Sequence, residues 1–248
     1  MEKTSPLISC ICITKNRVDL LKRAIDCFTH QSYINRELII LYEADDIETV
    51  QISSNYLYSN NIFFLPVEPS VEKKLGELRN YAIAAARGDY ICQWDDDDWY
   101  HTDRLMCQYN SAKNSSCAGS ILSRWIMFDS LNKTAYVSFA RLWEGSILCK
   151  KENITKKPYK NISKGEDTPV IKWLNSKKML KTVSEAPHLY IYNIHGSNTF
   201  EYGHFDLFLK ASTQLSPCDS GIINDIMEHR RTVIESSRIL DKLFNAQR

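Results

Sequence analysis

Four consecutive aspartates, Asp95 to Asp98, close a short apolar run (Tyr90, Ile91, Cys92, Gln93, Trp94) and precede Trp99 and Tyr100. Side-by-side like charges repel, so a strand end gains no stability from such a run. A divalent cation relieves the repulsion, and hard carboxylate oxygens suit Mg2+ or Mn2+. A cation held by one or two carboxylates commonly also holds substrate phosphates. A solvated acidic loop is the plainer reading of an acidic cluster. The strand pattern before this one and the aromatic pair after it favour the metal. A second acidic pair, Glu166 and Asp167, stands just before Val170, Ile171, Trp173 and Leu174, at the expected N-terminus of a helix. Acidic residues there can simply cap the helix, worth ~0.5–2 kcal/mol.

The elements that must position these groups alternate. Leu7 to Ile13 is a continuous apolar run, as in a strand covered on both faces. Thr14, Lys15, Asn16 and Arg17 break it, and Val18, Leu21, Ile25 and Phe28 then recur at helical spacing. Glu37 to Tyr42 and Ile62 to Val67 read as further strands, with helices over Thr49 to Tyr58 and around Leu75, Leu78, Ala82 and Ala85, the latter stopping at Gly88. Strands alternating with helices imply right-handed βαβ units and a mostly parallel sheet, whose ligands bind beyond the carboxyl ends of the strands. The polar clusters Thr14–Arg17, Glu43–Asp46 and Asp95–Asp98 all fall at those ends and should converge.

After the aspartates, Leu105 to Ala112 reads as a helix. Ile121 to Phe128, Thr134 to Phe139 and Trp143 to Cys149 read as strands of an antiparallel portion. The expected class is α/β: a mostly parallel central sheet flanked by helices, a smaller antiparallel portion and a helical C-terminus. The chain divides on this reading into a domain over 1–205, with a first half at 1–104 and a second at 105–205, and a C-terminal extension over 206–248. In that extension Ile222, Ile226, Val233, Leu240 and Phe244 form one apolar stripe, with Arg230, Arg231, Arg238 and Lys242 on other faces. Such a basic amphipathic helix suits a peripheral contact with an anionic membrane, the catalytic domain itself, or a second subunit in a homodimer.

The 248 residues are 44% hydrophobic and 25% charged, an ordinary globular balance. A formal net charge of +1 gives no field favouring nucleic acid. No apolar stretch approaches the ~20 residues of a membrane span, and the polar start Met1–Pro6 does not read as a signal peptide. The eight cysteines form no C-x-x-C pair, and Cys10, Cys12 and Cys92 sit in apolar strand patterns; they read as reduced thiols of a cytoplasmic protein.

In order, the chain carries Thr-Lys-Asn-Arg (Thr14 to Arg17), Leu-Arg-Asn (Leu78 to Asn80), Gly-Asp-Tyr-Ile (Gly88 to Ile91), the aspartates, Asp103-Arg104-Leu105 and Gly165-Glu166-Asp167. This series resembles the family-2 glycosyltransferases of the GT-A fold, over residues 5 to 200. The resemblance implies an inverting, metal-dependent transfer of one sugar from a nucleotide-sugar donor, a UDP-sugar first among candidates. The acceptor would be a glycan or lipid-linked hydroxyl of a bacterial surface polysaccharide or lipopolysaccharide. It implies Asp97 as metal ligand, Asp96 at the ribose or metal, and Asp95 as a further metal ligand or supporting group, with the register open by one residue across the run. Asp95 and Asp98 could alternatively cap a helix. Asp167 would be the general base, with Glu166 as substitute. Thr14, Arg17 and Arg79 would contact the base or phosphates, and Glu43 would stand where the family commonly ends its second strand in Asp-Asp. His195 would join the metal or diphosphate shell. Trp99, then Trp125 and Trp143, could stack on sugar rings. A nucleotidyltransferase would want a Gly-rich loop after the first strand, which Thr14–Arg17 is not. A degenerate nucleotide-sugar binding module would not need both acidic motifs.

Overall fold

The structure, a computed structural model, describes residues 5–70 and 72–245. Residues 1–4, read above for a leader, lie outside them. The first half runs β1 (Ile8–Thr14), α1 (Val18–Thr29), β2 (Arg36–Glu43), α2 (Ile47–Ser53), β3 (Ile62–Val67), α3 (Leu75–Ala85) and β4 (Tyr90–Gln93). The second half runs β5 (Trp99–Tyr100), α4 (Arg104–Asn114), β6 (Gly119–Leu122), β7 (Ile126–Asp129), β8 (Thr134–Val137), β9 (Leu148–Lys150), α5 (Lys151–Lys156), α6 (Thr168–Ser176), β10 (Leu180–Val183) and β11 (Tyr190–Ile194). It closes with α7 (Tyr202–Lys210), β12 (Thr213–Gln214), α8 (Pro217–Met227) and α9 (Val233–Asn245).

The larger sheet has the order β10-β6-β9-β4-β1-β2-β3, parallel except where β9 runs against β4 and β6. β1 lies at its centre and is buried on both faces, which is why its run is apolar without alternation. The β1–β4 register sets Gln93 opposite Ile11, so the aspartates emerge beside Thr14 at the carboxyl end. The smaller sheet, β12-β8-β7-β11-β5, is mostly antiparallel. All eight cysteines are free thiols, and five of them are buried.

Two expected strands are corrected. The run Ile121–Phe128 is not one strand: β6 belongs to the larger sheet and β7 to the smaller. The chain bends over Ser123–Trp125, where the Ser138 carbonyl and hydroxyl take the Arg124 guanidinium and the Trp125 N–H. An apolar run alone cannot show that its two ends serve different sheets. The run Trp143–Cys149 opens with a 3-10 turn at Glu144–Ser146 before β9.

The C-terminal stripe is carried by two helices. Thr232 and Glu235 exchange hydrogen bonds as a capping box and start α9 afresh after α8. Ile226, Val233 and Leu240 are buried in the core shared with both sheets, and Ile222 and Phe244 pack against it. The apolar face that a membrane contact would need is packed into the core of the fold. Arg230 and Arg231 pair with Asp225 and Glu228 on the surface. His101, His188 and Asp241 bring three donor atoms within 4.8 Å of one another across this docking face. They clamp the helix rather than hold a metal. Asp103 N–H donates to His101 Nδ1, so the ring proton sits on Nε2, where it meets the Ser237 carbonyl at 3.1 Å. A metal-bound imidazole needs the opposite polarity, with N–H on the outer nitrogen. Among the described residues no helix is long and apolar enough to cross a membrane.

Candidate active site

A cleft of about 580 Å³ opens over the carboxyl ends of β1, β2 and β4 and is walled on its far side by the second half of the chain. Thr14, Arg17, Glu43, Arg79, Asp95, Asp96, Asp97, Glu166 and Asp167 all line it. The three polar clusters meet through direct bonds. Arg17 reaches Asp96 and Asp97, Asn16 N–H donates to Asp46 at 2.7 Å, and Lys15 pairs with Glu43. Asp46 also caps α2 through Thr49 N–H, which anchors the first loop to the second.

The four aspartates have four different surroundings. Asp95 accepts from Arg79 Nη2 at 2.8 Å and Gln93 Nε2 at 3.0 Å. Asp96 meets Arg17 Nη2 at 3.0 Å through Oδ1, while its buried Oδ2 has no partner. Burial and then the neighbouring Asp97 charge push its carboxyl up to about 7, against the pull of Arg17. Asp97 Oδ2 accepts from Arg17 Nη1 at 2.8 Å and lies 3.2 Å from His195 Nε2. Burial opposes its charge, but the His195 bond and Arg17 outweigh burial and hold it below the ordinary range. Asp98 faces away from the cleft, takes the Tyr190 hydroxyl and Asn193 N–H, and is held well above the ordinary range by burial and then by Asp97 and Asp95. Neither Asp95 nor Asp98 caps a helix; the N-cap of α4 is Asp103. Asp98 instead ties the acidic turn to β11.

His195 reaches this cluster as a donor. Ser197 N–H bonds its Nδ1 at 3.2 Å, which leaves the ring proton on Nε2 facing Asp97. The structure thus brings His195 to the aspartates as a hydrogen-bond partner of Asp97. Trp99 is corrected. It is 2% exposed in β5, paired with Ile191, and does not line the cleft. Trp125 and Trp143 do, stacked at 4.5 Å between ring centres, with Tyr192 stacked on Trp125 at 4.9 Å.

Arg79, expected near a base or phosphate, is instead spanned by Asp95 and Glu166, the latter at 2.9 Å from Nε. Burial disfavours its charge, yet the two carboxylates carry it well above its ordinary value. That bond ties Glu166 Oε1 to Arg79. Asp167 is different. It stands at the N-cap of α6 but makes no side-chain capping bond. Burial and then the adjacent Glu166 charge raise its carboxyl to about 7. Capping therefore does not account for this aspartate.

Local backbone explains how the pair reaches the cleft. Gly165 adopts φ +67, a left-handed turn that glycine takes without strain. Gly76, in the first turn of α3, lets the chain at Lys160 close against the helix: a Cβ there would lie 1.8 Å from the Lys160 carbonyl oxygen and 3.1 Å from Glu166 Cβ. Gly76→Ala is expected to push that segment outward, loosen the Arg79–Glu166 bond and cost about 1–3 kcal/mol, read as a lower thermal midpoint. An unchanged midpoint would show that the segment yields freely.

Several cleft residues carried no distinctive signal in the sequence: Lys73, Lys164, Arg141, Glu144, Phe200, His204 and Phe208. Arg141 shows what a signal could have been. In Arg-Leu-Trp-Glu it forks onto Glu144 at 2.6 and 2.7 Å and lies 4.8 Å over the Trp143 ring, a charged and aromatic cluster with no reason to sit in a strand.

The cleft holds several buried polar atoms without a partner in the chain. Thr14 Oγ1, Arg79 Nη1, Gln93 Oε1, Asp96 Oδ2, Trp125 Nε1 and Trp143 Nε1 are buried without a hydrogen-bond partner, and all six residues line the cleft. Buried polar atoms are ordinarily paired, so the cleft is built for polar matter from outside the chain. A divalent cation suits the chemistry of the first wall: Asp95, Asp96 and Asp97 bring hard carboxylate oxygens to one cleft, one of them unpartnered, although the three do not close to within 4.8 Å of one another.

A mostly parallel sheet with a polar cleft at its carboxyl edge and a smaller antiparallel sheet beyond it is the architecture of the GT-A class. The comparisons agree. The sequence pattern of Glycosyl transferase family 2 matches residues 9–179, and the chain belongs to that family. It is 30% identical over 129 residues to the amylovoran biosynthesis glycosyltransferase AmsB of Erwinia amylovora, covering 51% of this chain and 42% of AmsB. The chain spans less than half the length of the curated relatives it matches. The structure of TarS 1-349 from S. aureus with UDP-GlcNAc superposes with a TM-score of 0.63 at 12% identity, covering 96% of this chain and 73% of that one. The mannosyltransferase PcManGT from Pyrobaculum calidifontis, with GDP-Man and Mn2+, gives 0.57 at 11% identity, covering 98% and 76%. These two show the shared fold.

Proposed function

We propose that this protein is an inverting, metal-dependent glycosyltransferase. It moves one sugar from a nucleoside-diphosphate sugar, a UDP-sugar first, to a hydroxyl of a glycan or lipid-linked acceptor in surface polysaccharide assembly. One observation carries the reading: Asp167, uncommitted and raised to about 7, shares a single cleft with the aspartate cluster. The relatives named for polysaccharide biosynthesis and the neighbours solved with UDP-GlcNAc or GDP-Man support the donor class and the pathway.

Asp96 and Asp97, with Asp95 beside them, would hold Mg2+ or Mn2+, which supplies Lewis-acid neutralisation of the departing diphosphate. Thr14, Arg17 and Glu43 sit at the ends of β1 and β2, where a nucleotide lies in sheets of this kind. Arg79 is too tightly paired to travel; it holds Asp95 and Glu166 in place and offers only Nη1 to the ligand. Asp167 takes the proton of the acceptor hydroxyl as that oxygen attacks the anomeric carbon, and a base near neutrality suits that task. The acceptor lies against Trp125, Trp143 and Tyr192. Their rings offer apolar faces to a sugar, and the two unpartnered indole N–H groups suit its hydroxyls.

The test is thermal unfolding with UDP, GDP, CMP and dTDP, each with and without Mn2+. Binding to the folded state alone raises the midpoint by mass action. A rise that needs both Mn2+ and one nucleotide is expected. Folded protein that responds to none of them would remove the donor reading.

A further inference from the structure

The aspartate cluster is served by two arginines of very different freedom. The Arg79 side chain is 6% exposed and fixed at both ends by carboxylates. The Arg17 side chain is 27% exposed, stands in the loop after β1, and makes no helix-capping bond. Among the described residues its guanidinium pairs with two side chains, Asp96 at 3.0 Å and Asp97 at 2.8 Å. These are the carboxylates best placed for the cation. Asp97 Oδ2 is taken twice over, by Arg17 and by His195.

The geometry points to Arg17 as an exchangeable counter-ion that holds Asp96 and Asp97 in the free enzyme and gives them up to the cation when a nucleoside diphosphate arrives to receive its guanidinium. This deepens the donor-site reading and rests on it. A guanidinium and a divalent cation cannot occupy the same carboxylate oxygens, and their like charges repel at that range. A cation that takes Asp96 Oδ1 or Asp97 Oδ2 must therefore displace Arg17, whereas Asp96 Oδ2 is open to it from the start. Leaving is unfavourable into water alone, but the guanidinium fork matches phosphate oxygens as well as it matches carboxylate. A diphosphate supplies that second partner, and Arg17, which lines the cleft, has the freedom to turn to it. Cation and nucleotide then bind with positive coupling, and coupling between two ligands is reciprocal.

The experiment is calorimetric titration of Mn2+ into the full chain in mildly alkaline buffer, alone and with saturating UDP or GDP. Wild type is compared with Arg17→Gln and Arg17→Lys. Wild type should bind Mn2+ weakly alone and much more tightly with nucleotide. Arg17→Gln should bind Mn2+ alone at least about tenfold more tightly than wild type, equivalent to 1.4 kcal/mol, and gain less from nucleotide. Arg17→Lys keeps the charge without the fork and should fall between them; it also serves if Arg17→Gln does not fold. If the variants bind Mn2+ alone no more tightly than wild type, Arg17 does not compete with the cation and the inference is overturned. Absence of any Mn2+-dependent UDP or GDP binding by wild type is a separate result. It overturns the donor reading, and this inference with it.

Discussion

Asp167→Asn is expected to bind donor nucleotide as wild type does while losing about 10²–10⁴-fold in transfer rate, the usual worth of a positioned general base. The substitution keeps the shape of the side chain at the start of α6 and removes only its ability to accept a proton. No capping bond is lost with it. The rate should also report the carboxyl's own titration. Burial and the Glu166 charge place it at about 7, so the base form fills as pH rises through that value. Wild-type turnover should climb across about pH 6–8 and level off above, and the residual rate of the variant should lack this limb. The sign for stability is opposite. The folded state holds this proton more tightly than an unfolded chain with a value of 3.8 would. Asp167 therefore stabilises the fold least where it is charged, and its contribution falls as pH rises from about 4 to about 7. At neutral pH the variant should unfold no earlier than wild type. Turnover within a few-fold of wild type would take the base role away from Asp167.

Asp97→Ala should abolish metal-dependent nucleotide binding altogether. The carboxylate lost is the one that Arg17 and His195 share, and the remaining donors, Asp95 and Asp96, are separately tied to Arg79 and Arg17. With nucleotide at 100 times its dissociation constant, wild type gains ~2.7 kcal/mol of stability. The variant should gain nothing measurable when Mn2+ and nucleotide are added together. A midpoint shift that survives in Asp97→Ala would move the metal site to Asp95 and Asp96. Asp98→Ala is a useful contrast: its bonds run to Tyr190 and Asn193 in the core, so it should lower stability before it touches nucleotide binding.

Much of the donor side was legible because its signals are local. The continuous apolar runs of β1 and β2 and the helical spacing of Val18 to Phe28 mark which faces each segment must bury. From that alternation follow the parallel sheet and the meeting of three polar clusters at its carboxyl edge. Other features were out of reach for equally physical reasons. The bend at Ser123–Trp125 sends β6 and β7 into different sheets; the polar pair Ser123–Arg124 interrupts the run there, but it does not say which sheet each side joins. Trp99 and Trp143 are both aromatic residues near polar motifs. One is buried by its pairing with Ile191 and the other lines the cleft, because strands distant in the sequence take up those positions.

The sequence by itself determined the α/β class, the family and the two acidic motifs, since each is written in neighbouring residues and in the periodicity of burial. The tertiary structure decided which of four identical carboxylates face the cleft. It also decided that Arg79 is enclosed between two carboxylates while Arg17 is paired but partly exposed, and that Asp167 is left uncommitted while Glu166 is paired. Those assignments rest on contacts across gaps such as Arg17 to Asp97, Arg79 to Glu166 and Asp98 to Tyr190. A charge's partner and its solvation are properties of the packed chain, and they are set only when the sheet brings those segments together.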